Sequence, residues 1–158
     1  MDETFVRIAD KWMYLFRAVD GQGQTVDFYL SATRDREAAK LFLKKALANP
    51  DNRPPHLFAR DGLRSYPAAL RELQAEGDVA RHCRQRTRRY GNNRIESDHR
   101  HVKRRLRAMQ GPRTPLTAWA VIQGIEAAYM IKKGQVLGVT RWNLQAQAWL
   151  FGSLLRAA

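Results

Sequence analysis

Three acidic residues far apart in the chain have the chemistry needed for one site: Asp2, Asp61 and Glu96. Cleavage and transfer of phosphodiesters needs two divalent cations roughly 3.5–4 Å apart, which activate the attacking oxygen and stabilise the leaving oxygen. Hard cations such as Mg²⁺ bind carboxylate oxygens. Each acid also has an ordinary explanation, as a strand end, as a turn residue, or, for Glu96, as part of an Asn-x-x-Glu capping arrangement. Only a fold that brings the three together makes them a site.

Lysine and arginine are concentrated around the third acid. Residues 81–107 contain 11 Lys or Arg against two acids, which is +9 of the net charge of +13. Arg100 and Lys103 follow Glu96 by four and seven residues, so on a helix they lie near its face. A one-signed excess of this kind favours a phosphate backbone as partner. The predicted DNA contacts are Lys103, Arg100, Arg104 and Arg105.

Several neighbouring residues are expected to stay outside this site. Asp98 follows Arg94 by four residues, which an exposed helical ion pair explains. Glu3 points to the opposite face of a strand from Asp2. Tyr90 and Trp119 could stack on bases, but the apolar stripe around Trp119 favours core packing for it.

Composition narrows the class of protein. No run approaches the ~20 apolar residues that span a bilayer, and the acidic start is unlike a signal peptide. The single cysteine, Cys83, allows no internal disulfide and fits a reducing compartment. The four histidines do not form a zinc-ligand spacing with it. We therefore expect a cytoplasmic, nucleoid-associated protein whose partner is DNA and not a membrane.

The order of predicted elements gives the fold class. Three strands at residues 4–8, 12–16 and 25–30 are joined by short turns, which predicts an antiparallel meander. The helical period then begins after Thr33 and ends at Asn49-Pro50, where proline disfavours helical geometry in the preceding residue. The remaining predictions are a strand at 56–59, a helix from Ser65 through Leu73, an edge-like strand at 79–83, a helix from Asn93 broken at Gly111-Pro112, and a helix at 117–133.

This order, β-β-β-α-β-α-β-α followed by more helix, implies a mixed five-stranded sheet with helices on its faces. It is the order of the ribonuclease H-like α/β fold. In that topology the first strand lies beside the fourth. Asp2 and Asp61 would then be neighbours, with Glu96 in the first turn of a helix that arrives later.

The segment from Asn92 to Arg105 closely resembles the NN-x-x-E-x-DHR-x-x-KRR signature of DDE transposases of the IS-six insertion-sequence family. Asp2-Glu3-Thr4 resembles the family's DET, and Asp61-Gly62 with Ser65-Tyr66 resembles its second motif. The 34 residues between Asp61 and Glu96 suit its D-x34-E arrangement. The segments 124–126 and 130–135 are similar to its last helix.

The resemblance implies a catalytic domain at residues 1–135 in which Asp2, Asp61 and Glu96 bind two Mg²⁺ ions, with Mn²⁺ able to substitute. The implied reaction is nicking at the transposon ends, followed by attack of the freed 3′-hydroxyl on target DNA. The match starts at the second residue, so we expect no separate module for reading the terminal repeats, and we expect Asp2 to fray and activity to suffer.

Two alternatives remain open: a truncated, non-catalytic DNA-binding remnant of such a transposase, and a structure-selective nuclease on the same fold. Residues 136–158 lie past the resemblance as an apolar helical tail. The tail is expected either to dock on the core or to form a homodimer contact.

Overall fold

A computed structural model describes residues 1–60, 65–87, 93–109 and 111–157. Its elements follow the predicted order of strands and helices. They are β1 (Asp2–Ile8), β2 (Lys11–Val19), β3 (Thr25–Ser31), α1 (Arg36–Ala48), β4 (Leu57–Arg60), α2 (Ser65–Glu76), β5 (Arg84–Thr87), α3 (Asn93–Ala108), α4 (Pro115–Lys133) and α5 (Leu144–Ala157).

The first three strands form the predicted antiparallel meander, in the order β1-β2-β3. Ala9 takes a positive φ of 51° in the tight turn between β1 and β2. The ladder begins at Asp2, which pairs with Arg17. Met1 is buried, and its ammonium group donates a hydrogen bond of 2.8 Å to the carbonyl of Ala59. The ladder and Met1 thus both hold the chain at Asp2, and the fraying expected from the sequence stays a prediction.

The sequence predicts one five-stranded sheet, but the strands do not form one continuous ladder among the described residues. β4 pairs in parallel with β5 as a separate two-stranded sheet. The contact between Met1 and Ala59 nevertheless places the start of β1 beside the end of β4. The architecture is α/β, with three antiparallel strands and two parallel ones.

The fifth strand lies later in the chain than the predicted segment at 79–83. Turn-like bonds occupy that segment: Val79 N–H donates to the Leu73 carbonyl and Cys83 N–H to the Ala80 carbonyl. Backbone groups engaged in turns are not available to a ladder. β5 therefore begins only at Arg84.

Helices cover both faces of the meander, and each face has its own core. On one face, α1 and α2 pack against β2 around Phe16, Phe42 and Tyr66. On the other face, α3 and α4 pack around Leu15, which is fully buried with Ile122. Successive residues of β1 and β2 alternate between the two cores, as the strand period requires.

Helix α4 begins two residues before its predicted start, because Thr114 caps it and accepts a hydrogen bond from Thr117 N–H. It ends at Gly134, whose φ of 75° and close approach to Arg141 leave no room for a side chain. None of the described helices has the length and apolar character to cross a membrane.

The tail after residue 135 forms α5, whose apolar side chains are largely exposed, Leu144, Trp149 and Leu155 among them. Gln147 anchors its start by donating to the carbonyls of Thr140 and Arg141. The homodimer contact stays a prediction.

Candidate active site

Asp2 lies at the start of β1, on the face of the meander that α3 covers. Its side chain is 14% exposed, and its Oδ2 lies 3.5 Å from Nε2 of His99 on α3. No lysine or arginine forms an ion pair with Asp2 among the described residues. The carboxylate is therefore sheltered from solvent without a cationic partner in the described part of the chain.

His99, which contacts Asp2, is itself buried. Burial lowers its pKa, and the positive charges of Arg17 and Lys103 lower it further, against the opposing effect of Asp2. Neither ring nitrogen has a hydrogen-bond partner among the described residues. The ring is consequently neutral near pH 7 and does not neutralise Asp2.

Glu96 lies in the first turn of α3, one turn before His99. It is exposed and forms no ion pair within the described parts of the chain. Residues three apart on a helix are neighbours on its surface, so Glu96 lies next to His99, which contacts Asp2 at the start of β1. The structure thus brings Asp2 and Glu96 to adjoining elements.

Asp61 lies outside the described residues. It directly follows Arg60, the last residue of β4. Among the described residues no group of three His, Cys, Asp or Glu side chains could hold a metal ion. Two of the three predicted ligands can thus be located, and both offer the carboxylate oxygens that Mg²⁺ binds.

Asp98 differs from the exposed acid expected from the sequence. It is buried, at 5% exposure, and three side chains contact its carboxylate. Lys133 Nζ donates at 2.5 Å, Tyr129 Oη at 3.1 Å, and Arg17 Nη2 lies at 3.5 Å. The prediction that Asp98 is exposed was wrong, because Asp98 faces the sheet and α4 instead of solvent; the side chain of Arg94 lies outside the described residues.

The sequence interpretation missed the centre of this network, Arg17 and Glu126. Both are fully buried, and Arg17 Nη2 donates to Glu126 Oε2 at 2.9 Å. Burial raises the pKa of Glu126, while Arg17 opposes the rise. A signal was present: each residue interrupts an apolar pattern, in β2 and in the stripe of α4, and a buried charge requires a partner.

The predicted DNA-contacting cations divide between two sides of α3. Arg100 and Arg104 are exposed, and Lys103 is partly exposed. At 100° per residue, Arg100 and Lys103 lie within about 40° of Glu96, whereas Arg105 lies about 180° away. Arg105 Nη1 donates to His101 Nδ1 at 3.0 Å.

His101 in turn stacks on Tyr129 of α4, with ring centroids 3.8 Å apart. Burial, together with the positive charges of Arg105 and Lys132, lowers the pKa of His101 to about 4. Arg105 is therefore engaged at the junction of α3 and α4. Trp119 packs on Phe28 as expected, at 5.3 Å, and Tyr90 lies outside the described residues.

Comparison with known proteins gives a consistent result. A family model described as a DDE domain, of the IS240 transposase type, matches residues 1–135. The chain is 35% identical over 136 residues to the transposase for the insertion sequence-like element IS431mec of Staphylococcus aureus. It has the same identity to the transposase for insertion sequence element IS257 in transposon Tn4003 of that species.

These alignments cover 84% of this chain and 57% of each transposase, so the chain spans a little over half the length of those relatives. An uncharacterized protein of Yersinia pseudotuberculosis, pYV0051, is 36% identical over 85 residues, which is 53% of this chain and 79% of that protein. With the family match over 135 residues, the chain belongs to the DDE transposases of the IS-six insertion-sequence family.

Proposed function

We propose that this chain carries the catalytic centre of an insertion-sequence transposase, which nicks DNA at the transposon ends and transfers the freed strand to target DNA. Asp2, Asp61 and Glu96 are the catalytic residues. The fold that we propose for them is ribonuclease H-like, and the contact between Met1 and Ala59, which brings β4 beside the start of β1, supports it. The observation that carries the proposal is the contrast between two acids on α3: Asp98 is compensated by cations, whereas Glu96 has no cation partner among the described residues.

That contrast has a direct physical meaning. A buried carboxylate needs partners, and Asp98 has them in Arg17, Lys133 and Tyr129. Asp2 and Glu96 have no cation of the protein beside them in the described structure. Carboxylates left uncompensated on adjoining elements repel each other, and a bound divalent cation relieves that repulsion.

Two divalent cations, Mg²⁺ or Mn²⁺, would supply activation of the attacking oxygen and stabilisation of the leaving oxygen. The chain's own residues provide the rest. β1 fixes Asp2 through its ladder, and the contact of His99 with Asp2 sets the rotation of α3. The DNA backbone would be held beside the acids by Arg100, Lys103 and Arg104. Arg105 lies on the opposite side of α3 from Glu96. A protein with this activity works at the nucleoid.

A metal titration tests the proposal. Mn²⁺ binding is measured by calorimetry for the unmodified chain and for Asp61→Asn and Glu96→Gln. Both substitutions should weaken binding strongly, because each removes one of three carboxylates from a site for four positive charges. Joining of a precut transposon end to plasmid DNA should be lost in the same variants.

Glu37 provides a matched control. Like Glu96, it is an exposed glutamate in the first turn of a helix, but it lies on α1, away from β1. Glu37→Gln should bind Mn²⁺ as the unmodified chain does. Equal loss in Glu37→Gln and Glu96→Gln would contradict the site. DNA binding without any metal binding would favour the non-catalytic remnant.

A further inference from the structure

A groove with a cavity volume of about 1070 Å³ runs along the second half of β1. One wall is the β1-β2 hairpin, and the other is the C-terminal half of α3 with residues 111–113. Ala9 N–H donates to the Pro112 carbonyl at 3.1 Å, which fixes the two walls to each other. The groove is therefore a formed feature of the domain.

Aromatic rings line the hairpin wall. Phe5 lies opposite Tyr14 in the ladder, with ring centroids 5.3 Å apart, and it meets Trp12 edge-on at 6.4 Å. Trp12 is 62% exposed and Phe5 46% exposed. Large aromatic rings of this kind are normally buried, so a partner with flat apolar faces would gain by covering them.

The ionic residues that line the groove are all basic. Lys103 and Arg107 come from α3, and Arg113 follows it. None of these three forms an ion pair within the described parts of the chain. Arg7 also lines the groove and is paired with Asp10 at 3.2 Å. By the strand register the rings lie on the α1–α2 face of the hairpin and α3 on the other face, so the cations and the rings border the same groove across β1. Uncompensated cations beside aromatic rings are complementary to a polyanion that carries flat bases.

The groove lies beside the candidate active site along α3. Lys103 lies seven residues after Glu96 on nearly the same face of α3, about 10 Å along the helix axis. Arg107 extends the same face by one more turn. A strand that passes Glu96 can therefore enter the groove directly.

We propose that this groove binds an unpaired DNA strand leading to or from the candidate active site. Bases stack on Trp12 and Phe5, and phosphates contact Lys103, Arg107 and Arg113. Duplex DNA would not use the rings, because its bases are already stacked on each other and present only their edges. Among the described residues the groove lining contains no carboxylate or amide to read a base edge, so we expect sequence-tolerant binding. The inference rests on the proposed function for the origin of the unpaired strand.

Binding of oligothymidine and of a duplex of equal length, measured by fluorescence anisotropy, tests the groove. Trp12→Ala should weaken oligothymidine binding about fivefold or more, the loss of one stacked base, and change duplex binding less than twofold. Trp12→Phe keeps an aromatic ring and should retain most of the affinity. Trp142 is 80% exposed beside Arg141 but lies outside the groove. Trp142→Ala should change neither affinity.

Unfolding by urea establishes that each variant is folded. Equal effects of Trp12→Ala and Trp142→Ala, or an equal loss of duplex and single-strand binding in Trp12→Ala, would overturn the groove proposal. The Mn²⁺ titration of Glu96→Gln separates the two inferences. If Glu96→Gln weakens Mn²⁺ binding as expected and Trp12→Ala has no effect on oligothymidine binding, only the groove proposal is rejected. If Trp12→Ala selectively loses oligothymidine binding but the chain binds no Mn²⁺, the groove proposal stands and the catalytic proposal is rejected.

Discussion

Two acids on α3, two residues apart, have opposite relations to their surroundings. Glu96 is exposed and unpaired within the described structure, whereas Asp98 is buried and held by three side chains. A carboxylate that the protein itself compensates contributes to stability. One that stays uncompensated is available for a ligand. The difference in environment, not in residue type, separates the structural acid from the proposed catalytic one.

Neutralising these two acids should therefore have opposite consequences. Asp98→Asn should lower the free energy of unfolding by about 1–3 kcal/mol, because Lys133 and Arg17 lose a buried acceptor. Glu96→Gln should change it by no more than about 0.5 kcal/mol, as is usual for an exposed position. Urea denaturation at pH 7 measures both. A larger loss in Glu96→Gln than in Asp98→Asn would contradict this division of roles.

The sequence predicts single residues well where a motif surrounds them and poorly where tertiary contact decides. Asp2 and Glu96 were placed correctly on β1 and on the first turn of α3. Asp98 was misjudged as exposed, because two of the cations that hold it come from distant parts of the chain. Its partners Arg17 and Lys133 are 81 and 35 residues away. Local spacing carries no information on such pairs.

At the scale of elements, α3 is held against the meander by a buried network of charges. Arg17 of β2 donates to Glu126 of α4 and contacts Asp98 of α3, so three elements meet at one guanidinium. Arg17 is also the ladder partner of Asp2. The network therefore sets the position of α3 beside the strand residue proposed to bind metal.

Removing the charge of Arg17 should destabilise the folded protein. Arg17→Met should lower the free energy of unfolding by about 3–5 kcal/mol, because it leaves Glu126 buried without its cation. The loss should be smaller at lower pH. Burial already raises the pKa of Glu126, so the folded state takes up a proton there before the unfolded state does.

The double variant Arg17→Met, Glu126→Met tests the cause. Replacing both charges by apolar groups of similar size is often nearly neutral, so the double variant should recover much of the stability lost in Arg17→Met. Urea denaturation of the single and double variants measures the recovery. A double variant as unstable as Arg17→Met would show that packing of the Arg17 stem, and not the unpaired charge, causes the loss.

The junction of α3 with α4 should weaken in mild acid. His101 accepts a hydrogen bond from Arg105, which can only donate, so its Nδ1 is unprotonated in the folded protein. Its folded pKa is about 4, below the ordinary value of about 6.5. The unfolded chain thus binds the proton first as pH falls, and this contribution to stability decreases from about pH 6.5 toward pH 4.

His101→Gln keeps an acceptor for Arg105 but cannot titrate. Urea denaturation at pH 7.5, 6 and 5 should show that the variant loses less stability in acid than the unmodified chain. Parallel losses in the two proteins would mean that other groups cause the acid sensitivity and that His101 takes up its proton at the same pH in the folded and unfolded states.

The order of elements was predictable, because hydrophobic periods and turn residues are local signals. All ten elements follow it, and the meander has the expected antiparallel pairing. The position of β5 was wrong, because β-prone Val79 and Cys83 are engaged in turns and strand pairing was decided by contact with β4. Short edge strands depend on such contacts more than on their own sequence.

At the scale of the whole molecule, the net charge of +13 is unevenly compensated. On the α1–α2 side, cations are paired with acids: Arg36 with Glu72 at 2.8 Å and Lys44 with Glu76 at 2.8 Å. On the exposed face of α3, Arg100 and Lys103 have no acid partner among the described residues. Uncompensated positive charge is thus present beside the candidate active site, where we propose that a DNA backbone lies.

Salt dependence of duplex binding distinguishes contact at this face from general attraction. Each phosphate neutralised contributes about −0.9 to the slope of log affinity against log salt, because bound counterions are released. Replacing Arg100 and Lys103 together with alanine should flatten the slope by up to about two. Replacing Arg36 and Lys44 removes the same total charge from paired positions and should leave the slope nearly unchanged. Equal flattening in both double variants would show that DNA responds only to net charge, and the face of α3 would lose its assignment as the phosphate track.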